Sequence, residues 1–256
     1  MAQSWRIISA PLLGQYSGRA SAGGECVGKA LSRSKVELFL NCPRCFWLDQ
    51  VAKVAQPAGY PFNLNNAVDQ LLKNEFDQFR GGTVVPPRLA RQGLALIPAD
   101  HPELAVWRQN FRGVRVEHAD SGLTLFGAID DLWTDHHGTL YVVDYKATSK
   151  NEEVSLDAAW QISYKRQVEF YQWLLRRRGL PISDMAWFVY ANGIRGRGPF
   201  DDILRFRTKL LPYEGNDTWV SPTLARIAQC LQQQHAPEPA SDCEYCRYVA
   251  AASAVS

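Results

Sequence analysis

The sequence has little net charge and no long apolar stretch, and each absence argues against a class of protein. Its 28 Lys and Arg residues nearly balance 26 Asp and Glu residues, for a formal net charge of +2. Any nucleic-acid binding must therefore come from local basic patches. No run of roughly 18 apolar residues occurs, and residues 1–13 lack the basic start and apolar centre of a signal peptide. We expect a soluble, cytoplasmic protein without a membrane span.

The length of 256 residues suits one domain, and an apolar content of 46% is ordinary for a globular chain. Residues 1–31 are rich in glycine and small polar residues, which predicts a loosely ordered leader. We expect a single domain over residues 32–249 and a short tail over residues 250–256.

Residues 122–150 carry the strongest chemical signal in the chain. Residues 123–133 and 140–146 are rich in β-branched and aromatic residues, which predicts two adjacent strands, and residues 134–138 supply a turn. Four charged residues interrupt this apolar hairpin: Asp130, Asp131, Asp144 and Lys146. Charged groups in a buried strand are costly unless they are paired or bind a metal, so the cluster needs a reason.

The charged cluster has the composition of a magnesium or manganese site. If the strand register brings Asp130 and Asp144 together, their carboxylates provide the hard oxygen ligands that these ions prefer. Asp144 and Lys146 share a face of their strand, whereas the Tyr145 side chain points to the other face. A lysine beside the metal can stabilise the charge that develops in phosphodiester hydrolysis. The alternative is a structural salt bridge between Asp144 and Lys146.

An amphipathic helix is predicted over residues 63–80, where apolar residues recur at helical spacing. Asp69 borders its apolar stripe, which makes this carboxylate a candidate to reach the metal site. Glu75 is the second acidic candidate on the same helix. The alternative for both residues is an ordinary charge at the edge of a helix.

A second amphipathic helix is predicted over residues 156–178. Gln167 and Tyr171 are four residues apart and therefore share a face of it. The remaining predicted elements are an early helix over residues 34–48, strands over residues 114–118, 185–190 and 203–209, and a last helix over residues 221–234. Four basic residues are candidates for phosphate contacts: Lys165 and Arg166 on the second helix, and Arg195 and Arg197 in a glycine-rich loop.

Two C-x-x-C pairs lie near opposite ends of the chain: Cys42 with Cys45, and Cys243 with Cys246. Each pair directs two sulfurs to one point, so the two pairs together can complete a four-thiolate metal site. Disulfides are not expected in an intracellular chain. We therefore predict a structural metal centre that ties the two ends of the domain together.

Together these features resemble the PD-(D/E)XK nuclease superfamily, in the RecB-like branch that includes RecB and AddB nuclease domains and CRISPR-associated exonucleases. The resemblance covers residues 32–249. It rests on four motifs in order along the chain: an early helix leading to Cys42-Pro-Arg, then Gly127-Ala-Ile-Asp130, then Asp144-Tyr-Lys146, then Gln167 with Tyr171.

The resemblance implies an α/β fold with a restriction-endonuclease-like core, in which helices flank a central mixed β-sheet and the four cysteines join the two ends of the chain. It implies that Asp130 and Asp144 hold Mg²⁺ or Mn²⁺, with the Tyr145 carbonyl as a further ligand. Lys146 would be the catalytic lysine.

The resemblance also assigns supporting roles. Gln167 and Tyr171 would help to hold the site and the nucleic acid. In the related nucleases the first helix carries a G-x-x-x-H motif whose histidine binds the metal. Asn65 and Asp69 occupy those positions here, and an aspartate also binds a hard cation, so Asp69 takes over the ligand role.

The cysteines depart from the related iron–sulfur nucleases, which bind a [4Fe–4S] cluster through one early and three late cysteines. This chain has two and two. A [4Fe–4S] cluster is what the resemblance implies, and the different spacing leaves Zn²⁺ as the alternative.

The implied activity is that of a Mg²⁺- or Mn²⁺-dependent deoxyribonuclease, an exonuclease that favours single-stranded DNA, in DNA repair, recombination or defence against mobile elements. DNA is the expected substrate, and a helicase or another nucleic-acid-processing protein is an expected partner. The oligomeric state is left open. Two alternatives are a catalytically inactive nucleic-acid-binding or scaffold module of the same fold, and an enzyme of another class such as a phosphatase acting on small substrates.

Overall fold

The computed structural model describes residues 28–196, 198 and 200–255. Within them the strands are β1 (Lys29–Ser32), β2 (Ile97–Pro98), β3 (Val114–His118), β4 (Leu123–Gly127), β5 (Asp131–Thr134), β6 (Leu140–Thr148), β7 (Met185–Gly193) and β8 (Phe206–Glu214). The α-helices are α1 (Arg33–Asn41), α2 (Pro43–Gln50), α3 (Asn63–Asp77), α4 (Pro87–Ala90), α5 (Leu104–Trp107), α6 (Ile162–Arg177), α7 (Val220–Leu231) and α8 (Glu244–Ser253). The fold is mixed α/β, as predicted.

The described strands form two mixed sheets instead of one. The smaller sheet has the order β1-β4-β3, with β1 parallel and β3 antiparallel to β4. The larger sheet has the order β2-β5-β6-β7-β8, in which β6 and β7 are parallel and the other neighbours are antiparallel. The predicted central sheet is therefore divided.

Helices cover both faces of the larger sheet. α6 contacts β6 and also β3 and β4, so it packs against both sheets, whereas α3 contacts β6. Under α3, Phe76 packs against Val143 and Tyr145 in one apolar cluster, and the neighbouring Val142 belongs to the cluster that includes α6. Successive residues of β6 thus face opposite helices, which confirms the predicted alternation.

The strand predicted over residues 123–133 is interrupted. β4 and β5 lie in different sheets, and the three residues between them carry the chain from one sheet to the other. The Ile129 amide donates to the Trp107 carbonyl at 3.1 Å, and Arg108 Nε donates to the Asp130 carbonyl at 2.9 Å. The prediction of one continuous strand was wrong, because Trp107 and Arg108, and not a neighbouring strand, satisfy the backbone between β4 and β5. The predicted hairpin is confirmed for β5 and β6.

Gly127, the last residue of β4, allows a close contact that a side chain would block. A Cβ atom placed on it would lie 2.7 Å from Cε1 of Tyr171 on α6. The bare backbone therefore lets α6 pack directly onto the end of β4. This contact joins two motifs, Gly127-Ala-Ile-Asp130 and Gln167 with Tyr171, that are separate in the sequence.

The ends of the chain differ from the prediction where they are described. Residues 29–31, assigned to a loose leader, belong to β1, which pairs in parallel with β4 and buries Leu31 completely. Strand pairing outweighs the small-residue composition there. Residues 1–27 lie outside the described residues, and α8 continues to Ser253, into the predicted tail.

Several element boundaries also shift. α6 begins at Ile162, later than predicted, after a 3₁₀ turn at Ala159–Gln161. β8 begins at Phe206 and extends to Glu214, so the strand predicted over residues 203–209 is displaced towards the C-terminus.

Asp131 stabilises the fold at the start of β5. It is 0% exposed, and the guanidinium groups of Arg80 and Arg108 each lie 2.8 Å from its Oδ1. The Tyr145 hydroxyl donates to Oδ2 at 2.7 Å, and the Leu132 amide donates to Oδ1 at 2.8 Å. A buried carboxylate is tolerated when it is paired and hydrogen-bonded in this way. Of the acidic residues in the hairpin, Asp131 is therefore the structural one.

We expect Asp131→Ala to lower the free energy of unfolding by about 1–3 kcal/mol, because it leaves the buried Tyr145 hydroxyl without its acceptor, while Arg80 and Arg108 keep Asp77 as a partner. Urea denaturation followed by circular dichroism measures this. The matched control is Asp120→Ala, whose side chain is 92% exposed and which should change stability by no more than about 0.5 kcal/mol. Equal losses in the two variants would contradict the assigned role of Asp131.

Candidate functional site

The candidate site lies where β6 continues beyond the start of β5. Asp131, the first residue of β5, pairs with Val143, so residues 144–148 of β6 have no β5 partner. Their backbone is therefore available to other groups. The Tyr145 amide donates to Oδ2 of Asp130 at 2.9 Å, which places the Asp130 carboxylate against the free edge of β6.

A cleft of about 630 Å³ opens beside this free edge, between α3, β6 and α6. We call it the carboxylate cleft. Its charged and amide lining includes Asp69, Lys73, Arg108, Asp130, Lys146 and Gln167. The structure thus brings together candidate residues that come from four separate segments of the chain.

Asp144 lies beside the cleft and is 0% exposed. The Lys146 ammonium forms an ion pair with its Oδ2, whereas Oδ1 has no hydrogen-bond partner among the described residues. Burial raises the pKa of Asp144 to about 7, with Lys146 opposing the shift and Asp130 adding to it. A buried carboxylate with so few donors has capacity to bind a cation.

Residues of α6 hold the Lys146 side chain in position. Its Nζ donates to Oε1 of Gln167 at 3.4 Å and lies 4.7 Å from the centre of the Tyr164 ring. Gln167 Nε2 in turn donates to the hydroxyl of Tyr171 at 3.2 Å, which confirms that the two motif residues share a face. Burial raises the pKa of Tyr171, so its hydroxyl stays neutral. One chain of contacts therefore leads from β4 through α6 to Lys146.

Three cationic residues of this region were absent from the sequence prediction: Arg33, Lys73 and Arg108. Arg33, at the start of α1, donates to Oε1 of Gln167 at 3.2 Å and to the Ser163 carbonyl at 2.8 Å. No local pattern indicates this, because the contact joins elements that are distant in sequence. Lys73 could have been found, since it follows Asp69 by four residues on one helix and opposite charges at that spacing pair.

Lys73 contacts two of the predicted ligands. Its Nζ lies 2.8 Å from Oδ2 of Asp69 and 3.6 Å from Oδ1 of Asp130. Burial and the nearby Asp130 carboxylate raise the pKa of Asp69. Glu75, the other candidate, forms a two-bond ion pair with Arg88 at 2.7 and 2.8 Å and is not among the residues that line the cleft. The structure therefore places Asp69, and not Glu75, at the site.

The four cysteines of the two C-x-x-C pairs converge. Within the described ranges they are the only group of three or more potential ligands whose atoms all lie within 4.8 Å of one another, so Asp69, Asp130 and Asp144 do not form so compact a set. The shorter sulfur–sulfur distances are 3.5 Å for Cys45–Cys246, 3.6 Å for Cys45–Cys243 and 3.8 Å for Cys42–Cys246.

Both cysteine pairs use the same local geometry. The first cysteine of each pair is the N-cap of a helix, α2 or α8, and the second lies in the first turn of that helix. Two helix N-termini therefore point towards the four sulfurs, and their positive ends favour thiolates. The predicted convergence of four cysteines from the two ends of the domain is confirmed, and the metal that they would bind stays a prediction.

Three of the four residues predicted to contact phosphate are described, and they do not line the carboxylate cleft. Arg166 is 3.3 Å from Glu37 in an ion pair, Lys165 stacks over an aromatic ring, and Arg195 is exposed in its loop. None of the three lines the cleft. Arg197 lies outside the described residues. Nucleic-acid binding by these four residues stays a prediction.

Comparison with known proteins identifies the family. A model of the PD-(D/E)XK nuclease superfamily matches residues 63–251, most of the chain, including Asp130, Asp144 and Lys146. The chain belongs to the PD-(D/E)XK nuclease superfamily. The match begins after Cys42 and Cys45, so the first cysteine pair lies outside it.

This PD-(D/E)XK protein is also similar to a solved structure titled "Crystal structure of SSO0001". The identity is 15% and the TM-score 0.42, over 87% of this chain and 84% of that chain. No curated protein matches. Among the described residues, none of the helices combines the length and apolarity needed to cross a bilayer.

Superfamily membership implies a nuclease with a divalent cation, and the residues present are suitable for one. Asp144 offers a buried Oδ1 without a donor among the described residues and an Oδ2 paired with Lys146, and Asp130 and Asp69 line the adjoining cleft. Carboxylate oxygens are the ligands that Mg²⁺ and Mn²⁺ prefer.

Proposed function

We propose that this protein is a metal-dependent deoxyribonuclease that hydrolyses phosphodiester bonds in the carboxylate cleft. One observation carries the proposal: the buried Asp144, whose Oδ2 pairs with Lys146 and whose Oδ1 lacks a hydrogen-bond donor among the described residues, lies next to a cleft that Asp130 lines. A purely structural salt bridge would not require an open cleft beside it. The PD-(D/E)XK superfamily assignment supports the same chemistry.

Asp130 and Asp144 would hold Mg²⁺ or Mn²⁺, with Asp69 and the Tyr145 carbonyl as further ligands. When bound there, the cation would supply Lewis-acid activation of the phosphodiester. Asp130 is prepared for this role because the Tyr145 amide holds one carboxylate oxygen and Arg108 holds its carbonyl. The carboxylate therefore needs little rearrangement before it binds.

Lys146 would stabilise the negative charge that develops on the phosphate. Gln167 accepts a hydrogen bond from its ammonium, and the Tyr164 ring faces the same group. Tyr171 accepts a hydrogen bond from Gln167 and so fixes that amide. A charge held in place before the reaction needs no reorganisation during it, which is the source of its effect on rate.

The finer assignment follows the sequence resemblance to RecB-like nucleases. It favours an exonuclease that acts on single-stranded DNA in repair, recombination or defence against mobile elements, alongside a helicase or another nucleic-acid-processing protein.

The alternative is a catalytically inactive nucleic-acid-binding module of the same fold. One observation favours it: the Lys73 ammonium already neutralises Asp69 and lies 3.6 Å from Asp130. A fixed lysine could replace the divalent cation as the counter-charge of these carboxylates. Activity measurements separate the two functions, because the inactive module binds DNA without cleaving it.

For the four-cysteine centre we propose Zn²⁺ in preference to a [4Fe–4S] cluster. Four thiolates at about 2.3 Å from one tetrahedral zinc ion stand about 3.8 Å from each other. The three sulfur–sulfur distances of 3.5, 3.6 and 3.8 Å agree with that spacing. In a cluster each thiolate binds its own iron, which holds the sulfurs farther apart.

We expect the purified protein to degrade end-labelled DNA with Mg²⁺ or Mn²⁺ and to be inactive in EDTA. Lys146→Ala should lower the rate at least about 100-fold, because it removes a fixed positive charge from the reacting phosphate. Gel electrophoresis of single- and double-stranded substrates measures both effects. Lys209→Ala is the control, since Lys209 pairs with the exposed Glu153 and does not line the cleft. If Lys146→Ala cleaved DNA at the wild-type rate, the mechanism would be contradicted. If the wild-type protein bound DNA without cleaving it, the inactive module would be favoured.

The assignment of Asp69 is tested by substitutions on one helix. Asp69→Asn should weaken Mg²⁺ binding, measured by isothermal titration calorimetry, by roughly tenfold or more, because a ligand of the cation is lost. Glu75→Gln is the matched control and should leave Mg²⁺ affinity unchanged. If Glu75→Gln weakened binding and Asp69→Asn did not, the ligand would be Glu75.

Anaerobically purified protein should be colourless and contain about one zinc ion per chain. Cys45→Ser should lose the metal and lower the melting temperature, because the centre connects α2 and α8. Cys230→Ala should retain the metal, since Cys230 is buried outside the four-cysteine group. A brown protein that contains iron and sulfide would contradict zinc while leaving the four-thiolate centre intact.

A further inference from the structure

A second groove of about 470 Å³ adjoins the carboxylate cleft. It lies between the start of α1, the end of β4 and α6, and we call it the side groove. Its lining includes Arg33, Lys35, Asn110, Phe111, Phe126 and Tyr171. Gln167 and Asn110 line both the side groove and the carboxylate cleft, so the two are neighbours that share a wall.

The side groove carries the positive charge of Arg33. None of the described residues that line it is acidic, and the second cation, Lys35, forms an ion pair with Asp49 at 2.8 Å. Arg33 donates to two neutral oxygens, those of Gln167 and Ser163, and its Nε is buried without a hydrogen-bond partner in the described structure. Its charge is therefore not neutralised by direct contact with a carboxylate. At the rim, the Arg115 guanidinium lies 4.8 Å from the centre of the Phe126 ring.

Phe111 is the unusual residue of the side groove. Its side chain is 90% exposed, although a phenylalanine normally contributes to stability by being buried. It follows Asn110 directly and so stands beside the wall shared with the carboxylate cleft. An exposed aromatic ring among cations is the arrangement that binds single-stranded nucleic acid, in which bases stack on the ring and phosphates meet the charges.

We propose that the side groove holds a single-stranded segment of the DNA substrate next to the reacting phosphate, with one base stacked on Phe111. This deepens the proposed nuclease function and rests on it, since the strand passes Gln167 into the carboxylate cleft. A base-paired segment cannot bind in the same way, because both faces of its bases are covered by neighbouring pairs. The side groove would thus select unpaired DNA at the site of cleavage.

The test measures binding without cleavage, in EDTA, by fluorescence anisotropy of a labelled single-stranded oligonucleotide. Phe111→Ala should weaken binding roughly tenfold, the loss expected for one stacked base. Phe111→Tyr should bind as the wild type does, because it keeps the ring. The matched control is Tyr248→Ala on α8, which removes an aromatic side chain that is 75% exposed and lines neither the cleft nor the side groove. Because Phe111 is so exposed, its removal should leave the melting temperature unchanged.

A relaxed, covalently closed circular DNA duplex tests the selectivity. Its affinity should be the same for the wild type and Phe111→Ala, since all of its bases are paired and both faces of each are covered. Equal weakening for both DNA forms would overturn the stacking role, and unchanged single-strand binding by Phe111→Ala would overturn the side groove as a binding site.

The two proposals fail separately. A protein that cleaves DNA while Phe111→Ala binds single strands normally retains the nuclease function and loses the side groove. A protein that never cleaves, but whose single-strand affinity depends on Phe111, loses the nuclease function and retains the groove as a binding surface.

Discussion

The candidate site depends on a difference in strand length. β5 begins at Asp131 opposite Val143, whereas β6 continues to Thr148. If β5 had also paired with residues 144–148 of β6, it would have filled the space beside them. The free edge of β6 instead accepts the Asp130 carboxylate and forms one side of an open cleft. The interruption of the strand between β4 and β5 thus leaves this edge of the sheet open for the candidate site.

Buried charge has two different uses at this interruption. Asp131 accepts hydrogen bonds from Arg80, Tyr145 and the backbone and forms an ion pair with Arg108, so its charge is satisfied and stabilises the fold. Asp144 has an ion pair between Oδ2 and Lys146, and its Oδ1 has no hydrogen-bond donor within the described structure. The hydrogen-bonding capacity of Asp131 is used within the protein, whereas Asp144 retains the capacity to bind a cation. A group that is held in place without its full set of partners is expected at a binding site.

The four cysteines, which come from the two ends of the domain, are distant in sequence from the residues of the carboxylate cleft. Cys42 and Cys45 begin α2, and Cys243 and Cys246 begin α8, so one metal centre would constrain almost the whole chain. Closure of so long a loop removes conformational freedom from the unfolded chain. A metal bound by the four cysteines would therefore act on stability, while α6 connects β4 to Lys146 and so acts on the geometry of the candidate site.

The sequence by itself determined the mixed α/β class, the hairpin of β5 and β6, the alternation that separates Asp144 and Lys146 from Tyr145, and the convergence of the four cysteines. The hairpin and the alternation follow from periodicity, which is a local property. The fold class follows from the family resemblance, and the convergence of the cysteines follows from the two matching C-x-x-C pairs. Only the tertiary structure decided that β4 and β5 lie in different sheets, that Lys29–Ser32 form a strand, and that Arg33 reaches Gln167. Those outcomes depend on which distant segments satisfy a backbone or a charge, and local sequence does not encode that choice.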